Sequence, residues 1–247
     1  MNHGSMPPTL ANTLPRPGVA LRVGPLGAPA DDHRRVLDGP DGAWLVSDRA
    51  VNAPLRLSDA NPCAKVVMLA PPDGQFANVL GVGPGQSELF SDGLLVAGLT
   101  PGEWLALASG SGARLAEQLR QLAGPDLLLV DRSSGLAAFR LSGESAATVL
   151  CGLDDHHLAG FDLHDGSVLT ATLSTVRCIV VRDDLLPEQV GAGPHPMAAE
   201  AALLTSFLVL CDRSLARELH ARLLEAGAFE GIEAEGHGGY RTYHHEV

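Results

Sequence analysis

The chain has one lysine, Lys65, little aromatic side chain (4%) and no apolar run approaching the length of a membrane span. Each shortage excludes something. Seventeen basic residues against 29 acidic ones leave a formal charge of −12, which repels phosphate backbones and anionic lipid headgroups, so neither nucleic acid nor a membrane surface is an expected partner. The longest apolar stretches, such as Leu94–Ala97 and Phe207–Cys211, fall far short of the roughly 20 residues needed to cross a bilayer. The amino-terminal residues lack the basic start and continuous apolar segment of a secretory signal, and the cytoplasm is the expected location. Cys63, Cys151, Cys178 and Cys211 form no CxxC pair. Three of them lie in apolar patterns and are expected as buried free thiols. The preference for arginine over lysine accompanies an abundance of Ala, Gly, Leu and Pro and reads as base composition rather than as a binding device.

What is present is mostly fold information. Residues 1–63 contain nine of the prolines, from Pro7 to Pro62, and no sustained apolar period; they read as an extended or partly disordered arm, with short edge strands at VALRVGP and DGAWLVSD. The domain proper is expected over 64–247. AKVVMLA opens it as a strand, and a loop-rich segment follows. Glu103–Ala108 reads as a strand, and the next helix places Leu115, Leu119 and Leu122 on one stripe ended by Gly124-Pro125. Asp126–Val130 and Leu136–Leu141 read as a hairpin about the turn Arg132-Ser133-Ser134-Gly135. Ser142 is the expected N-cap of a helix over 144–152 with Ala146, Val149, Leu150 and Leu153 inward. Strands at Val168–Leu173, Arg177–Val181 and Phe207–Cys211 precede a helix over 213–226. The expected class is α+β: a ferredoxin-like βαββαβ core with additional strands and a C-terminal helix. Residues 105–124 also align without gaps on 208–227, with identity at Leu105, Leu107, Ser111, Ala113, Arg114, Ala123 and Gly124. An internal duplication and a chance match between two strand-helix units both explain this.

Candidate chemistry is sparse. Asp154-Asp155-His156-His157, with Asp162, His164 and Asp165, is the densest titratable cluster, but adjacent residues diverge where metal ligands must converge, and a solvated loop is the favoured reading. His244-His245-Glu246 reads as a tail. Gly81-Val82-Gly83-Pro84-Gly85 has the glycines of a phosphate loop without its Gly-Lys-Ser/Thr ending, and Pro84 removes an amide. No GxSxG surrounds any serine, no cysteine sits in an activating setting, and no carboxylate pair stands out as acid and base. Trp104, at the head of a strand, reads as core packing ahead of ligand stacking. No catalytic, cofactor-binding or metal-binding residue is assigned.

With LTPGEWLALA, LLLVDRSSGLAAFRLSGESAATVL and SFLVLCDRSLARELHARLLEAG on the page, the chain resembles the gamma subunit of heterotetrameric sarcosine oxidase, a family related to the folate-binding aminomethyltransferases of the glycine cleavage system. The likeness rests on the turn and strand at Pro101–Leu105, on Asp131–Ser133, on Leu141-Ser142-Gly143 and on the closing strand-helix unit, across residues 64 to 230. It implies an aminomethyltransferase-like fold and a noncatalytic accessory subunit of a complex that oxidatively demethylates an N-methyl amine and passes the one-carbon unit to tetrahydrofolate. FAD, FMN, NAD and tetrahydrofolate are then expected on larger flavoprotein partners, and none on this chain. Small subunits of complexes acting on N-methylglutamate or dimethylamine fit the same likeness. A stand-alone folate-binding transferase, for which Asp131 and Asp126 are the nameable carboxylates, and an interaction module outside amine metabolism are the alternatives.

Overall fold

The computed structural model describes residues 21–28, 34–39, 42–90, 93–123, 126–154, 163–186 and 203–237. Near the start, β1 (Leu21–Val23), β2 (Arg34–Gly39) and β3 (Gly42–Ser47) form a small sheet in the order β1-β3-β2. Next come β4 (Leu55–Asp59), β5 (Cys63–Leu69), α1 (Gln75–Leu80), β6 (Ser87–Leu89), β7 (Leu95–Thr100), β8 (Glu103–Ser109), α2 (Gly112–Ala123) and β9 (Leu128–Asp131). The remainder is β10 (Leu136–Ser142), α3 (Ala146–Leu153), β11 (Val168–Leu173), β12 (Val176–Arg182), β13 (Ser206–Asp212), α4 (Ala216–Ala226) and β14 (Ile232–His237).

Two large sheets carry the fold, a five-stranded one ordered β6-β7-β8-β5-β9 and a six-stranded one ordered β11-β12-β13-β10-β4-β14. Strand side chains alternate between faces, which is why these strands are apolar on both sides. In β13, Phe207, Val209 and Cys211 join α3 and α4 in one core, whereas Leu208 and Leu210 meet Leu95, Ala97, Leu105 and Leu107 of the other sheet. In β5, Ala64, Val66 and Met68 pack toward α1 and α2. The result is four layers: helices, six-stranded sheet, five-stranded sheet, helices.

The two halves repeat one another. The succession strand, helix, three strands, helix, strand runs from β5 to β9 and again from β10 to β14, and the strands take equivalent places in the two sheets. The equivalent neighbours β5/β8 and β10/β13 are both antiparallel, as are β7/β8 and β12/β13. The gapless match of 105–124 on 208–227 is thus β8-α2 laid on β13-α4. One strand breaks the equivalence, since β4 is inserted between β10 and β14.

This topology departs from the sequence expectations at several points. The ferredoxin-like unit read across 103–173 does not form, because β8 and β9 lie in one sheet while β10 and β11 lie in the other. The turn at 132–135 is present, with the Gly135 and Leu136 amides donating to the Arg132 carbonyl, yet its flanks do not pair. Ala137–Ser142 is buried on both faces and takes β4 and β13 as neighbours, and β9 pairs with β5. Turn chemistry specifies a reversal of direction, and burial specifies the partner. Within the segment expected as an arm, Leu55 and Leu57 of β4 are 1% exposed inside the six-stranded sheet. Finally, Ser142 belongs to β10, and Ser145 stands at the N-cap of α3 without a side-chain cap bond. Residues 1–20 of the expected arm lie outside the described residues.

Candidate functional site

The polar groups buried in the structure gather in the seam between the two sheets. Residues 60–62 connect β4 of one sheet to β5 of the other, and Asn61 is the hub. Its side-chain oxygen accepts from the Ala138 amide (3.0 Å), while its own amide and Nδ2 donate to the Asp59 carboxylate (2.8 and 2.6 Å). The chain's single lysine points into the same seam. On β5 the even-numbered apolar residues face the helices, so Lys65 faces the other sheet with no solvent exposure. Its ammonium donates to the Asn61 and Cys63 carbonyls at 2.9 and 3.1 Å, and its backbone amide donates to the Ser133 hydroxyl at 3.0 Å. Burial dominates at Cys63 and raises its thiol pKa; the Lys65 charge and hydrogen bond act against burial, as does Arg140 more weakly, while Asp59 adds to it. The thiol is therefore an unreactive neutral group.

Arg140 repeats the pattern on β10. Phe139 and Leu141 face the helices, which turns the guanidinium the other way. It donates to the Asp183 carboxylate (2.8 Å), the Asp183 carbonyl (3.2 Å) and the Ser206 hydroxyl (2.7 Å), with the two ion-pair side chains 4% and 3% exposed. Lys65 ties down the connector that crosses between the sheets, and Arg140 ties β10 to Asp183 and Ser206 within its own sheet, so the chemistry of both cations is cohesion.

Asp183 borders a cleft of about 530 Å3 between the β6/β7 edge and the segments around Asp165, Arg182 and Leu203. Leu89, Leu95, Leu186 and Leu203 supply its apolar wall; Glu88, Asp165, Asp183 and Asp184 outnumber Arg182. Its carboxylates have structural duties: Asp165 accepts the Asp184 amide at 2.9 Å, and Asp184 accepts from Arg182 at 2.8 Å. Arg182 also donates to the Leu163 carbonyl. A cleft of this sign favours a cationic or neutral occupant over an anion.

The glycine loop forms a second hollow of about 440 Å3 with Pro72, Asp73 and Trp104. Two of its amides are already used, Gly81 donating to Ala77 and Gly85 to Gly98, and the next amide, of Gln86, donates back to Gly83. The loop lies directly on β7, where a Cβ on Gly98 would stand 2.1 Å from the Gly83 oxygen. The segment is a packing element. Trp104 is 3% exposed, donates from Nε1 to the Val82 carbonyl at 2.8 Å and meets Phe76 edge-on at 5.7 Å. It is core.

The other singled-out residues divide similarly. The Asp131 carboxylate accepts the Ser133 amide at 2.8 Å and lies against the start of α2, where a Cβ on Gly112 would come within 2.3 Å of it. There it complements the helix's free amides. Asp126 is exposed. His164 shares a hydrogen bond with Ser167 at 3.1 Å; Asp155, His156, His157, Asp162 and residues 244–246 lie outside the described residues. Among the described residues no three His, Cys, Asp or Glu side chains are grouped to hold a metal, and no helix is long and apolar enough to cross a membrane. Cys63, Cys178 and Cys211 are buried and Cys151 is half-buried, all as free thiols. Sequence reasoning missed the in-register pairing of Cys178 with Cys211 across β12 and β13, which is a long-range fact. It also missed the Lys65 and Arg140 seam, although each charge breaks an apolar strand and was visible there.

No family model and no curated protein sequence matches the chain. Solved structures do. A chain of the heterotetrameric sarcosine oxidase from Corynebacterium sp. U-96 superposes with a TM-score of 0.55 at 18% identity, covering 74% of this chain and 88% of that one. The glycine cleavage system aminomethyltransferase T from Bartonella henselae superposes with a TM-score of 0.62 at 16% identity, covering 88% of this chain and 60% of that one. The match thus spans less than two thirds of the aminomethyltransferase. At these identities the likeness is one of fold, and the fold is the mixed α+β architecture shared by both structures.

Proposed function

We propose that the chain is an accessory subunit of a hetero-oligomeric amine-oxidising complex of the sarcosine oxidase type, acting in folate-linked one-carbon metabolism. The observation that carries this reading is one of extent: the alignment covers 88% of a whole chain of a heterotetrameric oxidase, against 60% of the aminomethyltransferase. The chemistry of the seam supports it, because Lys65, Arg140, Asp131 and Asp183 are all engaged in holding strands and helix ends. On this reading FAD, FMN, NAD and tetrahydrofolate belong to larger flavoprotein partners. The amine is sarcosine or another N-methyl amine, with complexes for N-methylglutamate or dimethylamine within the same class.

A second reading, folate binding by the chain itself, is favoured by the higher TM-score to the aminomethyltransferase. The carboxylate-lined 530 Å3 cleft counts against it, because the glutamate tail of folate is anionic. Co-expression of the chain with flavoprotein genes from its own operon tests both. Co-elution with yellow, flavin-containing larger subunits supports the first reading. Monomeric elution, together with calorimetric binding of tetrahydrofolate to the isolated chain, would replace it with the second.

A further inference from the structure

Sheet edges expose unpaired amides and carbonyls and must be closed or protected. The two large sheets have four edges. Two of them close one another: β6 and β11 are bridged at Gln86 and Ser167, the Val168 amide donates to Gly85 and the Ser87 amide to Gly166. The third edge, β14, is met by the chain after β3, with the Gly236 amide donating to the Arg49 carbonyl at 2.8 Å. The fourth is β9, the counterpart of β14 in the first half, and among the described residues nothing pairs with its outer side.

The register shows what that edge offers. The Arg132 amide donates inward to the Lys65 carbonyl, so in an antiparallel ladder the groups of 130 and 128 also face β5, and the N–H and C=O of Leu129 and Asp131 face outward. Leu128 and Val130 are 59% and 38% exposed. They stand opposite Leu69 and Val67, which are only partly buried, so the four side chains form one apolar strip beside the open edge. Exposed Asp126 stands beside the Leu128 end of the strip, on a chain whose formal charge is −12.

We infer that the outer edge of β9 is a docking site for an extended segment of another protein, which adds as a sixth strand with alternating apolar residues over Leu128 and Val130 and with arginine or lysine at its ends. The paired backbone groups supply affinity, the apolar strip sets the register, and Asp126 together with the acidic net charge selects a basic segment. The identity of the occupant as a subunit of an oxidase rests on the proposed function; the edge geometry stands apart from it.

The test uses the full chain and a short blocked peptide with Val/Thr alternation between terminal arginines, compared with the same peptide ended by glutamates. Saturating arginine-ended peptide is expected to slow hydrogen exchange at the Leu129 and Asp131 amides by about tenfold or more, and Val130→Lys to weaken binding by about tenfold or more with an unchanged melting curve. Equal binding of the two peptides, no protection at these amides, or full binding by Val130→Lys overturns the proposal. Concentration-dependent self-association that protects the same amides without peptide also overturns it, assigning the edge to a second copy. In the co-expression experiment, flavoprotein subunits that retain the wild type and lose Val130→Lys support the proposal. Subunits that retain both refute the docking site and leave the functional reading intact. If the subunits retain neither while the peptide binds as expected, the functional reading alone fails.

Discussion

Removing one member of the Arg140–Asp183 pair should be among the costliest single changes available to this fold. The partners are 4% and 3% exposed and joined at 2.8 Å, with further bonds from the guanidinium to the Asp183 carbonyl and the Ser206 hydroxyl. Asp183→Ala leaves a cation sealed from water, a loss of about 3–5 kcal/mol. In a chain of this size each kcal/mol moves the melting temperature by about 2–4 °C, so the expected drop is roughly 6–20 °C. Arg140→Met strands a carboxylate instead. That carboxyl must take up a proton on folding, so the variant should recover stability as pH falls, opposite to a chain whose carboxylates are paired. The double variant Arg140→Met/Asp183→Leu removes both charges and should cost less than either single change. Urea unfolding followed by circular dichroism, at about pH 7 and about pH 5, gives all the terms. Single changes costing under about 1 kcal/mol, or costs that simply add, would mean that water reaches the pair and that the sheets are not closed over it.

Gly98→Ala should destabilise by about 2 kcal/mol or more and red-shift Trp104 emission, because the new Cβ displaces the Gly83 backbone that holds the Val82 carbonyl over the indole; an unshifted spectrum would show that the loop is not seated there. Burial lowers the pKa of His220 and of His237, whose ring donates from Nδ1 to the Asp59 carbonyl. Both are therefore held neutral, and their contribution is complete above the ordinary value of 6.5 and lost as pH falls below it toward the lowered folded values. Urea midpoints should accordingly be lower at about pH 5.5 than at about pH 7.5, and less so in His220→Leu; equal drops in the two proteins would remove His220 from the account. The Cys178 and Cys211 thiols are pushed up to about 12 and about 11 by burial, so at about pH 8 a thiol reagent should label at most the half-buried Cys151 until the chain unfolds. Rapid labelling of more than one thiol per native chain contradicts this.

Local patterns carried most of the elements. The strand at 103–109, the Leu115/Leu119 helix stripe, β11, β12, β13 and α4 all follow from period and punctuation. Pairing was not legible, because the turn at 132–135 looks the same whether its flanks meet or part. Leu55-Arg56-Leu57-Ser58 alternates correctly for a strand but sits between Pro54 and Pro62, and β14 carries Glu233 and Glu235 on the face away from the helices, which hides its apolar residues. The seam was half legible. A lone lysine and an arginine inside apolar strands announce buried partners, whereas Asn61 acquires its role only where the chain crosses between the sheets, and Asp183 and Ser206 only once β13 is paired with β10.

The place of β4 has a consequence for how the molecule is made. A ribosome releases Leu55–Asp59 long before β10 and β14, the strands that flank it, so this segment waits for its first partner until over half of the chain has emerged and for its second until nearly all of it has. Closure of the second half depends on contacts of high sequence separation and should be the slow phase of folding. Although the halves look like twins, a cut between β9 and β10 would leave the C-terminal fragment with a missing rung, and only the uncut chain can complete itself.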